Sequence, residues 1–184
     1  EALWLRGGSH AVRKGLTFAD GVIEFDVAPM KGADFVAITF RRQSLSQHEN
    51  IYFRIRRSGE FMAVQYAPRM GSSTWQLYPE FLAVADWPVD QWTHVRVEAR
   101  GSQLKVFVGE GGEPVLVVPR MRHAARIGEV GVWARVNNQP EAWAAAVSNF
   151  TVRPAEGQGA FAPARPPPEG FIATANNVVV PDTY

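Results

Sequence analysis

The sequence contains no cysteine among its 184 residues. This absence excludes a disulfide framework, a thiol nucleophile and a thiolate metal site. It leaves the cellular compartment open, because exported bacterial domains can also lack cysteine.

Long apolar runs and an excess of charge of one sign are absent as well. No apolar run reaches the roughly 18 to 20 residues that a membrane-spanning helix needs. The 19 basic and 18 acidic residues nearly cancel, which leaves a formal net charge of +1. Proteins that bind nucleic acid or a membrane surface usually carry a basic patch or excess. We therefore expect neither nucleic acid nor membrane insertion.

The sequence does contain apolar residues at every second position, which is typical of β-strands with one buried face. In the stretch GVIEFDVAP, for example, Ile23, Phe25 and Val27 share one face. Turn signals such as Ser58-Gly59-Glu60 separate the predicted strands. The other predicted strands have the sequences DFVAITFRR, IYFRIRR, FMAVQYA, WTHVRVEAR, QLKVFVG, EPVLVVP, GEVGVWARV and AAVSNFTVRP. The pattern predicts an all-β domain built as a sandwich of two antiparallel sheets.

The sandwich is expected to occupy residues 1–153. Residues 67–90 form a long connection that contains aromatic residues, and such connections are often functional. Residues 154–170 are rich in proline and glycine, which predicts a linker or a strap along the surface. Residues 171–184 are expected to form a last strand or a tail.

Several stretches, in the same order along the chain, resemble the concanavalin A-like lectin/glucanase superfamily. They include FADGVIEFDV, FVAITFRR, IYFRIR, WQLYPEF, DQWTHVRVEARGSQLKVFV, GEVGVWA and VSNFTV, and together they cover roughly residues 17 to 153. Within the superfamily the chain is most similar to the bacterial domains named for 3-keto-disaccharide hydrolase. The resemblance implies a jelly-roll sandwich, a secreted or periplasmic protein, and a saccharide or glycoside ligand.

The alternation also suggests where a ligand would bind. If apolar residues such as Ile51 and Phe53 fill the core, the residues between them share the outer face of one sheet. In the superfamily this face is commonly concave, and sugars are held there by aromatic rings and by hydrogen-bonding side chains. The alternative is an ordinary solvated surface. The predicted ligand-binding residues are Arg41, Tyr52, Arg54, Gln65, Trp75 and Trp133.

Catalytic residues are harder to predict. Glu24 and Asp26 resemble the beginning of the E-x-D-x-x-E strand of retaining glucanases, but VAP stands where the second glutamate is needed. Elimination beside a 3-keto group would need a base, for which Glu49, His48 and Glu24 are the candidates. Arg41 or Arg54 would then stabilise the enolate. Whether the protein is an enzyme stays open.

No cofactor is predicted with certainty, although calcium is a candidate because related lectins bind it through loop oxygen atoms. The candidate ligands are Asp20, Asp34, Glu49 and Asn149, but the sequence has no D-x-D-x-D-G signature.

Three functions follow from these observations. The first is carbohydrate binding by an exported domain. The second is hydrolysis or elimination of a (3-keto) glycoside, and the third is a protein-interaction module similar to laminin G. The sequence does not indicate the oligomeric state.

Overall fold

The structure is a computed structural model that describes residues 1–71 and 78–155. These residues form β-strands and two short 3-10 helices, Ile55–Arg57 and Pro79–Phe81. The strands are β1 Leu3–Arg6, β2 His10–Phe18, β3 Gly21–Pro29, β4 Phe35–Ser44, β5 Gln47–Arg54, β6 Val64–Tyr66, β7 Arg69–Met70, β8 Leu82–Ala83, β9 Thr93–Arg100, β10 Gln103–Val108, β11 Leu116–Val118, β12 Gly128–Arg135 and β13 Trp143–Pro154.

The strands make two antiparallel sheets, which confirms the predicted all-β jelly-roll sandwich. One sheet has six strands in the order β1-β13-β3-β9-β10-β11. The other has seven: six follow the order β2-β12-β4-β5-β6-β8, and β7 pairs with β5. Strands far apart in sequence therefore lie side by side, and this brings residues from both ends of the domain to one surface.

The core lies between the sheets and consists of the apolar residues that alternation assigns to it. Ile23, Phe25 and Val27 of β3 are fully buried. Across the core, the ring of Phe53 on β5 lies 6.3 Å from that of Phe25 and 4.5 Å from that of Trp87. Because side chains on a strand alternate between faces, the residues between these core positions point away from the core.

The predicted hairpin around Ser58-Gly59-Glu60 is present, but its strands are shorter than predicted. β5 ends at Arg54, and a 3-10 helix begins at Ile55. β6 pairs with β5, with Tyr52 opposite Gln65. The sequence pattern did not reveal β1 and β2, because their apolar and polar residues do not alternate cleanly.

β13 runs to Pro154, and the backbone N–H of Ala155 donates to the carbonyl of Asp20. The predictions for residues 156–184 and for Trp75 fall outside the described residues. Within the described ranges, no helix is long and apolar enough to cross a membrane.

Candidate functional site

The outer face of the seven-stranded sheet carries a continuous row of side chains across five strands. In register they are His10 on β2, Trp133 on β12, Ala37 on β4, Tyr52 on β5 and Gln65 on β6. Directly opposite residues in a sheet place their side chains on the same face. The fold therefore brings together Trp133, Tyr52 and Gln65, three of the predicted ligand-binding residues.

A cavity of about 400 Å³ opens on this face, at the His10 and Trp133 end of the row. Two turns form part of its wall, the β1–β2 turn and the β4–β5 turn that contains Leu45. Its strand residues are His10, His48, Asn50, Arg69, Trp133, Ala134 and Arg135. We refer to it as the outer-face cavity.

The indole of Trp133 is held in place by Asn50. The indole Nε1 donates to Oδ1 of Asn50 at 2.9 Å, and Nδ2 of Asn50 donates to the carbonyl of Ala67 at 3.2 Å. The amide of Asn50 is buried and bonded at both ends, so it fixes the orientation of the partly exposed ring. A ring oriented in advance loses little freedom when a ligand stacks on it.

His48 is buried at the cavity wall and is neutral at pH 7. Burial is the main reason why its pKa is lowered from 6.5 to about 4, with smaller contributions from nearby His10 and Arg69. Its Nδ1 lies 3.1 Å from the carbonyl of Ser44, which can only accept a hydrogen bond. The proton of neutral His48 is therefore on Nδ1, and Nε2 is a hydrogen-bond acceptor.

His10 lies beside His48, with the ring centroids 6.4 Å apart. Its Nε2 is buried and makes no hydrogen bond within the described part of the chain. Burial lowers the pKa of His10, and the positive charges of Arg42 and Arg69 lower it further. A buried polar atom without a hydrogen bond is energetically costly.

Tyr52, Arg54 and Gln65 form a bonded cluster beside the cavity rather than in its wall. The guanidinium of Arg54 donates to the hydroxyl of Tyr52 at 3.0 Å and to Oε1 of Gln65. Tyr52 and Gln65 are buried, and burial raises the pKa of Tyr52. The ring of Tyr52 lies 6.4 Å from that of Trp133, so the cluster supports the cavity from one side.

Arg41 does not share this face, and its predicted position is wrong. The register of β4 shifts between Phe40 and Ser44, and Arg41 takes a left-handed backbone conformation with φ of 51°. Such a bulge turns the side chain to the other face of the strand. The buried guanidinium pairs with Asp20 at 2.7 Å and donates to the carbonyls of Ala19 and Gly101.

Glu49 lies in the core, and its position does not fit the predicted role as base. It is fully buried, and its Oε2 accepts a hydrogen bond from the hydroxyl of Tyr66 at 2.7 Å. Its other oxygen accepts from the backbone N–H of His123 at 3.3 Å. Burial raises the pKa of Glu49. The carboxyl connects β5 to the segment that precedes β12, on the opposite side of the strand from the cavity.

Glu24 lies on the other sheet, which also removes it from the cavity. On the outer face of the six-stranded sheet it pairs with Arg153 at 2.5 Å. Its neighbour Asp26 contacts Nδ1 of His94 at 2.7 Å and accepts from Asn149 at 2.6 Å. Of the three candidate bases, only His48 lines the cavity.

The four candidate calcium ligands do not converge. Asp20 pairs with Arg41, Asp34 pairs with Arg56 at 2.8 Å, and Asn149 binds Asp26 on the outer face of the six-stranded sheet. Within residues 1–71 and 78–155, no three His, Asp or Glu side chains form a group that could hold a metal ion.

Several residues of the cavity were not predicted from the sequence, among them Asn50, His10, Arg69 and Arg135. Asn50 has the same parity on β5 as Tyr52, and this signal could have identified it. His10, Arg69 and Arg135 had no comparable signal, because their positions depend on which strands are neighbours.

The comparisons with known proteins agree with this architecture. A candidate glycosyl hydrolase from Parabacteroides distasonis superposes with a TM-score of 0.60 at 11% identity, over 84% of this chain and 87% of the other. The carbohydrate-binding module CBM66 from Bacillus subtilis gives 0.56 at 14% identity, over 82% and 93%. The galectin LEC-6 from Caenorhabditis elegans gives 0.54 at 10% identity, over 82% and 96%. No family model and no curated protein matches the sequence.

At these identities the similarity establishes the fold alone. The chain shares the two-sheet β-sandwich fold of these structures, as the resemblance implied. Membership of the 3-keto-disaccharide hydrolase family stays a prediction.

Proposed function

We propose that the protein is an exported carbohydrate-binding domain whose ligand occupies the outer-face cavity. The outer face of the seven-stranded sheet would be the concave face of the sandwich. The observation that carries the proposal is the partly exposed ring of Trp133, which Asn50 orients in a cavity that His48 and Arg69 also line.

The chemistry of this cavity suits a sugar ring. A saccharide has a C–H face that packs on an aromatic ring and neighbouring hydroxyls that need donors and acceptors. Trp133 supplies the ring, Nε2 of neutral His48 is an acceptor, and Arg69 supplies donors. The volume of about 400 Å³ lies in the range of small-molecule sites.

The fold neighbours support the same proposal. One is named as a carbohydrate-binding module, one is a galectin and one is a candidate glycosyl hydrolase. Since one fold can serve many functions, this support is secondary to the cavity itself.

A glycan array followed by calorimetric titration tests the proposal. We expect saccharide binding in the micromolar to millimolar range, and Trp133→Ala should weaken it about tenfold or more, which is about 1.4 kcal/mol. Trp92→Ala is the matched control, because Trp92 is exposed and lies outside the cavity wall. Thermal melting of both variants checks that they fold.

Two results would overturn the proposal. One is the absence of binding to any saccharide at millimolar concentration. The other is an equal loss of affinity in the Trp92→Ala and Trp133→Ala proteins, which would place the ligand elsewhere.

Glycoside cleavage has weaker support from the cavity. Its wall contains no carboxylate among the described residues, and a histidine whose pKa is about 4 is a weak base at neutral pH. No observation favours the laminin-G-like function over carbohydrate binding.

A further inference from the structure

The charged side chains of the outer-face cavity are two arginines, Arg69 and Arg135. The wall also contains His10 and His48, whose pKa values are lowered, and neither supplies a negative charge. No Asp or Glu belongs to the wall among the residues that the structure describes. A chain with nearly balanced charge thus has a cavity with a strong local imbalance.

No carboxylate within residues 1–71 and 78–155 neutralises the charge of either arginine. Eight described arginines pair with a carboxylate, and Arg69 and Arg135 belong to the seven that do not. Arg69 is partly buried, and its Nε is a buried donor without a hydrogen bond. Unpaired arginines on an open surface are solvated by water, but a buried unpartnered donor is not.

Two carboxylates adjacent to the cavity histidines do not compensate this charge. Glu129, whose negative charge raises the pKa of His10, is paired with Arg42. Glu49 is a direct neighbour of His48 in the chain, but its side chain is on the core side of β5 and binds Tyr66. The cavity therefore keeps a positive potential that its low-dielectric walls strengthen.

On the basis of the proposed function, we propose that the saccharide bound in this cavity is acidic, with a carboxylate or sulfate group that Arg69 and Arg135 bind. A guanidinium matches both anions, because its parallel N–H groups can donate to two oxygen atoms at once. The ring of Trp133 would hold the sugar while the two arginines select for its charge.

Matched pairs of ligands test this inference. The first pair is an oligogalacturonate and its fully methyl-esterified form, which has the same skeleton without charge. The second pair is a sulfated galacto-oligosaccharide and its unsulfated form. At low salt we expect the acidic member of at least one pair to bind about tenfold more tightly or better, and the difference between the pairs distinguishes carboxylate from sulfate.

Three variants locate the effect. Arg69→Gln and Arg135→Gln should each reduce the affinity for the acidic member about fivefold more than the affinity for the neutral one. Arg135 is exposed, so its variant should fold even if Arg69→Gln does not. Arg120→Gln is the control, because Arg120 is exposed and outside the cavity wall.

The outcomes separate the two proposals. Binding of neutral saccharides that equals or exceeds that of their acidic counterparts would overturn the acidic ligand and leave carbohydrate binding standing. An acid preference that survives both cavity variants would also overturn it. If no saccharide binds, both proposals fail.

Discussion

The two outer faces of the sandwich differ in how their polar side chains are satisfied. On the six-stranded sheet, several charged residues pair with one another. Its pairs are Glu24 with Arg153, Asp26 with His94, and Arg96 with Glu98. On the seven-stranded sheet, polar groups surround a tryptophan, and buried nitrogens of His10 and Arg69 make no hydrogen bond within the part of the chain that the structure describes.

This difference shows why strand alternation alone cannot identify a binding surface. Both faces consist of the residues between core positions, and both contain arginine, histidine and a hydrogen-bonding side chain. What distinguishes them is that the seven-stranded face has buried nitrogens, in His10 and Arg69, that make no hydrogen bond within the described residues. A face with unmet hydrogen-bonding capacity is the better candidate for a ligand.

The largest expected effect concerns Arg41, which belongs to neither face. Arg41→Met should lower the free energy of unfolding by about 3 to 5 kcal/mol, because it leaves Asp20 and two backbone carbonyls without their cation. Urea denaturation measures this, with the exposed Arg100→Met as control. If the variant keeps its stability but loses saccharide affinity, the side chain of Arg41 lies on the outer face of the seven-stranded sheet after all.

The second prediction uses the buried histidine of the seven-stranded face. His48 has a pKa near 6.5 when unfolded and about 4 when folded, so between these values the unfolded state binds more protons. Stability should therefore fall as the pH drops from 6.5 to 4, by roughly 2 to 3 kcal/mol. His48→Gln should lose this part of the pH dependence in denaturation series at different pH. An identical pH dependence in both proteins would mean that His48 is solvated.

The third prediction concerns the cluster beside the cavity. Arg54→Ala should cost about 1 to 3 kcal/mol of stability, because it leaves the buried amide of Gln65 and the hydroxyl of Tyr52 without this donor. The exposed Arg57→Ala should cost about 0.5 kcal/mol or less. If both variants unfold at the same urea concentration, the cluster is solvated surface.

The smallest effect is expected on the six-stranded face. Glu24→Gln should change stability by about 0.5 kcal/mol or less, because its partner Arg153 is largely exposed. Saccharide affinity should stay unchanged in calorimetric titration. A clear loss of affinity would mean that the ligand binds on the outer face of the six-stranded sheet.

Part of the candidate site was predictable from the sequence. Trp133, Tyr52 and Gln65 share the predicted face because their parity is opposite to that of core residues such as Phe53. Glu49 has the same parity as Phe53, so a stricter use of alternation would have assigned it to the core. Arg41 was not predictable in this way, because the bulge in β4 reverses the parity.

The sequence by itself determined that the fold is all-β and which residues of most strands face the core, because alternation is a local property of the extended chain. The tertiary structure decided which strands are neighbours. Only that pairing brings His10 beside Trp133, although they are 123 positions apart in the chain. The cavity, its basic wall and the unpartnered nitrogens all follow from contacts between distant segments, which no local pattern encodes.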